Sequence, residues 1–344
     1  MWPQPFSLLL VTILSQSFLA LVSGHLMTFP FLSAWHNLLI FICLYLKPDF
    51  VPGSKFPFCR FGDANIVIFF DLLKNSLYFA AQRQPKDSDM NQTKWKPVPW
   101  IFFDLDDTIW NFSVNSEKAL HKLYEISPIL RKLFKDINEF IDIYHTHNYR
   151  LWDLYSRGLV TTRELKVERW RRTLATRQFE VLTAVCEELE RNYLDILAEE
   201  REMIPGVTGM LQQLTKKCLI GVLSNGFSTT QYKKLNNSGL WRYVTRTIVS
   251  EEIGINKPDR RIFEYAIAET GAIMPCLMVG DHAETDVLGA LKAGWKAIWF
   301  NPKGKPLPFS EDDLKELHIN PDYFLGEAGT PEEILSLIFR ALKE

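Results

Sequence analysis

Three aspartates follow a short apolar run in a spacing that could hold a metal ion. The string reads Ile101-Phe102-Phe103-Asp104-Leu105-Asp106-Asp107-Thr108. Carboxylates crowded this closely repel one another unless protons or a cation compensate their charge. A hard divalent cation with oxygen ligands would provide that compensation. The alternative interpretation is a polar turn whose aspartates cap a helix.

Three further polar segments occur in order along the chain, each at the carboxyl end of a predicted strand. They are Ser224-Asn225-Gly226, the lysine of Ile255-Asn256-Lys257-Pro258-Asp259, and the acids of Gly280-Asp281-His282-Ala283-Glu284-Thr285-Asp286. Each segment alone could be an ordinary turn, a surface charge or a helix cap. The carboxyl ends of parallel strands meet at one edge of a sheet, where such folds bind their ligands. We therefore expect all four segments to form one site.

Short apolar runs alternate with amphipathic stretches from Trp95 onward. The runs are predicted strands: Pro99–Phe103, Cys218–Leu223, Arg246–Val249, Cys276–Val279 and Ala297–Phe300. The stretches between the later runs are predicted helices: Ser228–Asn237, Asp259–Thr270 and Glu284–Ala293. Strands that alternate with helices predict an α/β fold with a parallel sheet covered on both faces.

The interval from Trp110 to Ile204 breaks this alternation and has helical patterns only. Helices are predicted from Thr162 to Leu174 and over Phe179–Leu197, and Pro205 and Gly206 mark the return to the sheet. The predicted organisation is a catalytic core at residues 90–110 and 205–344, with a helical module inserted at residues 111–204.

The four polar segments together resemble the motifs of the haloacid dehalogenase-like hydrolase superfamily. They occur here as DLDDT, LSNG, INKPD and GDHAETD, and the resemblance covers roughly residues 97–344. It implies a Rossmann-like parallel sheet core with an inserted α-helical cap, and Mg²⁺-dependent hydrolysis of a phosphomonoester.

The resemblance also implies a role for each residue. Asp104 would attack phosphorus and form an aspartyl-phosphate, while Asp106 would protonate the leaving oxygen and then activate water. The resemblance implies that Mg²⁺ is held by Asp104, the backbone carbonyl of Asp106, Asp281 and, in support, Asp286. The expected phosphate-binding residues are Ser224, Asn225 and Lys257, with Thr108 placed beside them to support the loop.

The second aspartate discriminates among reactions of the superfamily. Phosphatases and phosphomutases keep an acid at the position of Asp106, whereas true dehalogenases and P-type ion pumps do not. A narrower resemblance is to YjjG-type pyrimidine 5′-nucleotidases, through FFDLDDTIWNF, SNGF and the cap stretch LWDLYSRGLVTTRELKVERW. It implies a nucleoside 5′-monophosphate substrate. A sugar-phosphate or phosphoglycolate phosphatase and a phosphomutase stay open as alternatives.

The overall composition is that of a folded protein with no nucleic-acid partner. The formal net charge is −2 and 47% of the residues are hydrophobic. A nucleic-acid-binding protein would usually have a basic excess. The five cysteines are scattered, with no CxxC pair, which favours reduced thiols and a cytoplasmic catalytic domain.

Residues 1–89 form an apolar extension unlike the rest. No Asp, Glu, Lys or Arg precedes Lys47, and two apolar runs occupy Phe6–Val22 and Phe31–Leu46. Both are shorter than the roughly 20 residues that span a bilayer as a helix. Met90 starts a stretch that reads like the beginning of a small enzyme. A misassigned start, a membrane anchor and a cleaved signal are the alternatives, and any membrane contact would come through this segment.

Overall fold

The computed structural model describes residues 49–50, 58–61, 64–67, 98–180 and 182–343. The chain divides into two compact units, Met1–Lys94 and Trp95–Glu344. The described part of the first unit is three short antiparallel strands: β1 Asp49–Phe50, β2 Phe58–Phe61 and β3 Ala64–Val67.

The apolar runs Phe6–Val22 and Phe31–Leu46, on which the alternatives for the extension depend, lie outside the described residues. Among the helices that the structure describes, none is both long enough and apolar enough to cross a bilayer.

The second unit is built on a six-stranded parallel sheet with the order β6-β5-β4-β7-β8-β9. Its strands are β4 Trp100–Phe103, β5 Leu219–Ser224, β6 Arg246–Val249, β7 Leu277–Gly280, β8 Lys296–Phe300 and β9 Phe324–Ala328. The predicted α/β class is therefore correct.

Both faces of the sheet are buried. Successive side chains of a strand point to opposite faces. Ile101 and Phe103 of β4 accordingly belong to one apolar cluster, while Phe102 belongs to another with Met278 and Trp295. Burial on both faces explains why the central strands are apolar without alternation.

The structure describes twelve α-helices in the second unit. Six of them lie between β4 and β5 along the chain: α1 Phe112–Ile126, α2 Pro128–Leu133, α3 Ile137–Ser156, α4 Thr162–Ala175, α5 Thr183–Glu199 and α6 Val207–Leu214. The other six follow β5: α7 Ser228–Asn237, α8 Ser250–Ile253, α9 Arg260–Thr270, α10 Gly289–Lys292, α11 Glu311–Glu316 and α12 Pro331–Ala341.

We call α1 to α5 the helical insert. The chain segments that enter and leave it run side by side. The Asn111 N–H donates to the Glu202 carbonyl at 3.0 Å, and Trp110 forms an antiparallel bridge with Met203. The Asn115 side chain also donates to the Glu202 carbonyl, at 2.8 Å, and accepts from the Glu202 N–H. These contacts fasten the base of the insert to the loop after β4.

Two elements differ from the sequence-based expectation. The sheet has a sixth strand, β9, which was not predicted. Its sequence FLGEA contains a glycine and an acid, and it forms a sheet edge, where one-sided exposure tolerates polar residues. The helix predicted over Glu284–Ala293 is a π-helix at Ala283–Leu288 followed by the short α10.

Candidate active site

The predicted site residues meet where the central strands end. Asp104 directly follows β4, Ser224 is the last residue of β5, and Asp281 directly follows β7. β4 lies between β5 and β7 in the sheet. Since parallel strands all end at the same edge, these three positions become neighbours although they are far apart in sequence.

Three carboxylates and one ammonium group form a buried cluster, which we call the aspartate cluster: Asp104, Asp281, Asp286 and Lys257. One carboxylate oxygen from each aspartate lies within 4.8 Å of the others. Lys257 Nζ lies 2.6 Å from Asp104 Oδ1 and 2.8 Å from Asp286 Oδ1. The structure thus brings the predicted nucleophile, the lysine and both late aspartates together, and Lys257 is buried rather than a surface charge.

The electrostatics of the cluster favour a cation. Burial raises the pKa of Asp104 to about 7; Lys257 counteracts this effect, and Asp286 and Asp106 add to it. Burial, and then the charges of Asp104 and Asp286, also hold the pKa of Asp281 well above its ordinary value. Although burial disfavours a charged lysine, Asp104 and Asp286 outweigh it and raise the pKa of Lys257. One lysine therefore does not compensate the three acids.

The donor set fits Mg²⁺, which prefers oxygen ligands and is commonly bound by one or two carboxylates. Gly280 helps to place these donors. A Cβ added at Gly280 would lie 2.2 Å from Asp286 Oδ2, so only glycine lets Asp286 approach the end of β7. Asp286 lies in the π-helix, and Asp286 Oδ2 accepts the His282 N–H at 3.0 Å. His282 Nδ1 itself accepts the Thr285 N–H.

The side chain of Asp106 lies outside the aspartate cluster. Its two oxygens instead accept hydrogen bonds from Lys234, and one of them also from Gln231. The predicted contribution of Asp106 to metal binding was through its backbone carbonyl. That contribution stays a prediction.

The loop that carries Asp106 is held by a sharp turn. Asp107 has φ of 55°, in the left-handed region that aspartate tolerates better than most residues. Its carboxylate accepts the Ser113 N–H at 2.8 Å and the Ser113 hydroxyl at 2.7 Å. Thr108 is buried, and its hydroxyl has no hydrogen-bond partner among the described residues.

The loops after β5 and α8 are joined by the Asn225 side chain. Its Oδ1 accepts the Lys257 N–H at 2.8 Å, and its Nδ2 donates to the Lys257 carbonyl at 2.9 Å. Because both ends of this amide are occupied, the side chain holds the backbone of Lys257. Any contact of Asn225 with phosphate would have to come from its backbone amide. Ser224 Oγ lies nearby and accepts the Gly226 N–H at 3.2 Å.

Sequence reasoning missed two residues of α7, Gln231 and Lys234. Both are buried, and Lys234 Nζ lies 2.8 Å from Asp106 Oδ1. A single lysine in an amphipathic helix normally indicates a solvated surface. The available signal was helical spacing, since Gln231, Lys234 and the buried Leu235 lie at i, i+3 and i+4 on one face.

The helical insert contacts the loops around the site. The Trp152 ring lies 5.3 Å from the ring of Phe227, which follows Gly226. Lys166 Nζ lies 3.0 Å from Glu251 Oε1 and 4.0 Å from the Phe227 ring centre. Burial raises the pKa of Tyr149, and the charges of Asp107 and Asp281 add to that effect.

The chain is similar to known hydrolases. The family model described as haloacid dehalogenase-like hydrolase matches residues 98–294. The pyrimidine 5′-nucleotidase YjjG of Escherichia coli is 31% identical over 220 residues, which are 62% of this chain and 90% of that protein. A glyceraldehyde 3-phosphate phosphatase of Methanopyrus kandleri is 26% identical over 258 residues, 71% of this chain and 98% of that enzyme.

Among solved structures, the chain is similar to the HAD-hydrolase YfnB of Bacillus subtilis. The TM-score is 0.60 and the identity 27%, with 71% of this chain and all of that chain covered. That structure is bound to magnesium and reveals interdomain movement.

Proposed function

Since the chain belongs to the haloacid dehalogenase-like hydrolases, we propose that it is a Mg²⁺-dependent phosphatase of nucleoside 5′-monophosphates, with pyrimidine nucleotides preferred. The observation that carries the proposal is the aspartate cluster, in which three carboxylates face one lysine. The likeness to YjjG supports the choice of substrate.

The first chemical step would transfer the phosphoryl group to the protein. A carboxylate oxygen of Asp104 attacks phosphorus, the bond from phosphorus to the ester oxygen breaks, and Asp106 gives its proton to that oxygen. Lys257, with the Ser224 hydroxyl, would hold the phosphoryl oxygens while charge develops on them. Bound between Asp104, Asp281 and Asp286, Mg²⁺ would reduce the repulsion between carboxylate and phosphate.

The second step would release inorganic phosphate. Asp106, now a carboxylate, takes a proton from water as the water oxygen attacks phosphorus. The bond from phosphorus to Asp104 then breaks, and both aspartates return to their starting protonation states. The loop held by Asp107 and Ser113 keeps Asp106 near Asp104 through both steps.

The helical insert would exclude water and contact the leaving group. Its contacts with Phe227 and Glu251 support such a role. A sugar phosphate is the second candidate substrate, because the likeness to the glyceraldehyde 3-phosphate phosphatase covers almost all of that enzyme.

The test is release of inorganic phosphate by the full chain, with and without Mg²⁺, from dUMP, dTMP, purine nucleotides and sugar phosphates. Metal-dependent release that is fastest from dUMP or dTMP is expected. Faster release from a sugar phosphate would mean that the preferred substrate is a sugar phosphate, and it would leave the proposed mechanism unchanged. Transfer of phosphate between positions of a sugar, with no release, would identify a phosphomutase and overturn the proposal.

A further inference from the structure

Lys234 is buried where its helix would be expected to present a solvated charge. Only 2% of Lys234 is exposed, whereas the neighbouring Lys233 is exposed and pairs with Asp195 at 2.9 Å. A buried ammonium group is costly unless it is paired and hydrogen-bonded. Lys234 Nζ lies 2.8 Å from Asp106 Oδ1 and 3.0 Å from Asp106 Oδ2. The side chain is thus held by the carboxyl group that the mechanism needs.

Gln231, one helical turn earlier, reinforces this arrangement. Its Nε2 donates to Asp106 Oδ2 at 2.9 Å and to Ser224 Oγ at 2.7 Å. A Cβ added at Gly226 would lie 2.3 Å from the same Nε2, so the amide lies directly against the turn after β5. Gln231 therefore joins the predicted acid to a predicted phosphate-binding hydroxyl.

Aromatic rings close the other side of the lysine. Lys234 Nζ lies 4.4 Å from the Trp110 ring centre and 5.3 Å from that of Phe112. Both distances are in the range of cation–π attraction. Within the described chain, Asp106 is the carboxylate that pairs with Lys234, so the ammonium group has one charged partner and little room to leave it.

The two oxygens of Asp106 are not equivalent. Each carboxylate oxygen can accept about two hydrogen bonds. Oδ2 accepts from both Lys234 and Gln231, while within the described residues Oδ1 accepts from Lys234 alone. Oδ1 therefore keeps a lone-pair direction for the proton that passes to the leaving oxygen.

We propose that Lys234 and Gln231 are positioning residues, which fix the Asp106 carboxyl group so that Oδ1 faces the leaving oxygen. The inference rests on the proposed function, since it assigns an orientation to the acid of that reaction. Asp106 is part-exposed, and without these partners its carboxyl group would rotate. A misplaced acid would slow proton transfer without preventing substrate binding.

The experiment compares Lys234→Met with Lys233→Met, which changes the exposed neighbour on the same helix. kcat/KM is measured on dUMP and on p-nitrophenyl phosphate, whose leaving group departs without needing a proton. We expect Lys234→Met to lose about 100-fold on dUMP, less than about fivefold on p-nitrophenyl phosphate, and little in KM. Lys233→Met should match the wild type on both. An equal loss on both substrates would overturn the proposal.

A second set of variants tests whether Lys234 acts through Asp106. In an Asp106→Asn background, Lys234→Met should cost no more than about threefold further on dUMP. A full additional 100-fold loss would mean that Lys234 acts independently. Lys234→Arg keeps the charge and should restore part of the rate. Gln231→Leu leaves the ion pair intact and should lower kcat/KM on dUMP by about tenfold. This variant replaces Lys234→Met in the test if Lys234→Met does not fold.

Failure of the proposed function has a different signature. Wild-type protein that releases no phosphate from any ester would overturn the phosphatase itself. Release from a sugar phosphate but not from dUMP would remove only the substrate preference, and the same variants would then be compared on that sugar phosphate. Normal wild-type activity with an unaffected Lys234→Met would overturn only the positioning role.

Discussion

Two groups of buried charge in this chain are built in opposite ways. The aspartate cluster has three carboxylates against one ammonium group. In the helical insert, Arg169 and Glu190 instead form a one-to-one pair with contacts of 2.9 and 2.6 Å. The Asn148 side chain accepts from Arg169, and the Trp170 indole donates to Glu190.

The two groups differ in whether their charge is neutralised within the protein. The insert pair is neutral as a whole and has its hydrogen bonds made within the protein, which is how a buried ion pair becomes tolerable. The aspartate cluster has an excess of acid that its own residues do not neutralise. Burying an excess of negative charge costs free energy. Such an excess is tolerated where a bound ligand neutralises it. The imbalance of the aspartate cluster therefore indicates a binding site, whereas the balance of Arg169 and Glu190 indicates a structural role for that pair.

The largest expected effect is that of Asp104→Asn. It removes the proposed nucleophile and should lower phosphate release by about 10⁴-fold or more. Because it also relieves the crowding of acids, metal-free protein should be at least as stable to heat as the wild type. Phosphate release and thermal unfolding measure the two effects, with the exposed Asp312→Asn as control. Wild-type turnover would disprove the nucleophile assignment.

The next effect is on stability and concerns the balanced pair. Arg169→Met leaves Glu190 buried without its cation and should reduce the free energy of unfolding by about 3–5 kcal/mol. Urea unfolding measures the loss. Adding Glu190→Leu should recover part of it, because an apolar pair can replace an ion pair. A free energy of unfolding for Arg169→Met within about 1 kcal/mol of the wild-type value would contradict the structural role of the pair.

Lys257→Ala should slow phosphate release by about 100-fold or more, equivalent to roughly 2.7 kcal/mol in the barrier. Lys257 is the cation of the aspartate cluster, so its loss increases the imbalance of charge and removes the proposed phosphate contact. Steady-state kinetics at saturating Mg²⁺ measure the effect, and Lys233→Ala on the surface is the control. Unchanged kinetics would show that burial of Lys257 serves only packing.

The last effect is a dependence of Mg²⁺ stabilisation on pH. Burial raises the pKa of Asp104 from 3.8 to about 7, so between these values the folded metal-free protein keeps a proton that the unfolded chain has lost. Its stability should therefore fall as the pH rises through that window, by up to about 1.4 kcal/mol per pH unit.

Mg²⁺ would bind the ionised carboxylate of the proposed site, so the rise in melting temperature that Mg²⁺ produces should be greater at pH 8 than at pH 6. Thermal unfolding with and without Mg²⁺ at both values measures it. Asp104→Asn should reduce the difference between the two pH values, and the raised pKa of Asp281 should account for what remains. An equal shift in the wild type at both values would contradict the protonation of Asp104.

The two kinds of buried charge also differ in how well they could be predicted from the sequence. Five strands and the residues of the aspartate cluster were predictable, because acids directly after buried strands are conspicuous. The edge strand β9 was not, since Gly326 and Glu327 weaken its apolar pattern. Lys234 was not, because its burial depends on Asp106, far away in the sequence. From sequence alone a lysine is expected to be solvated, because only the fold shows which buried carboxylate pairs with it.

Contacts between distant segments account for the other differences. The predicted start at Thr162 agrees with α4, although Thr161 is the residue that caps it, in a capping box with Glu164. The π-helix at Ala283–Leu288 depends on the approach of Asp286 to Gly280. Local propensity does not report such an approach, so a regular helix was the natural expectation.

The paired segments at the base of the helical insert bear on how such a protein can be altered by recombination. The chain leaves the sheet at Trp110 and Asn111 and returns beside them at Glu202 and Met203. Segments whose ends lie this close tolerate exchange better than others. Recombination could therefore exchange these helices with the two crossing points unchanged, provided that the incoming first helix again supplies a partner such as Ser113 for the loop that carries Asp106.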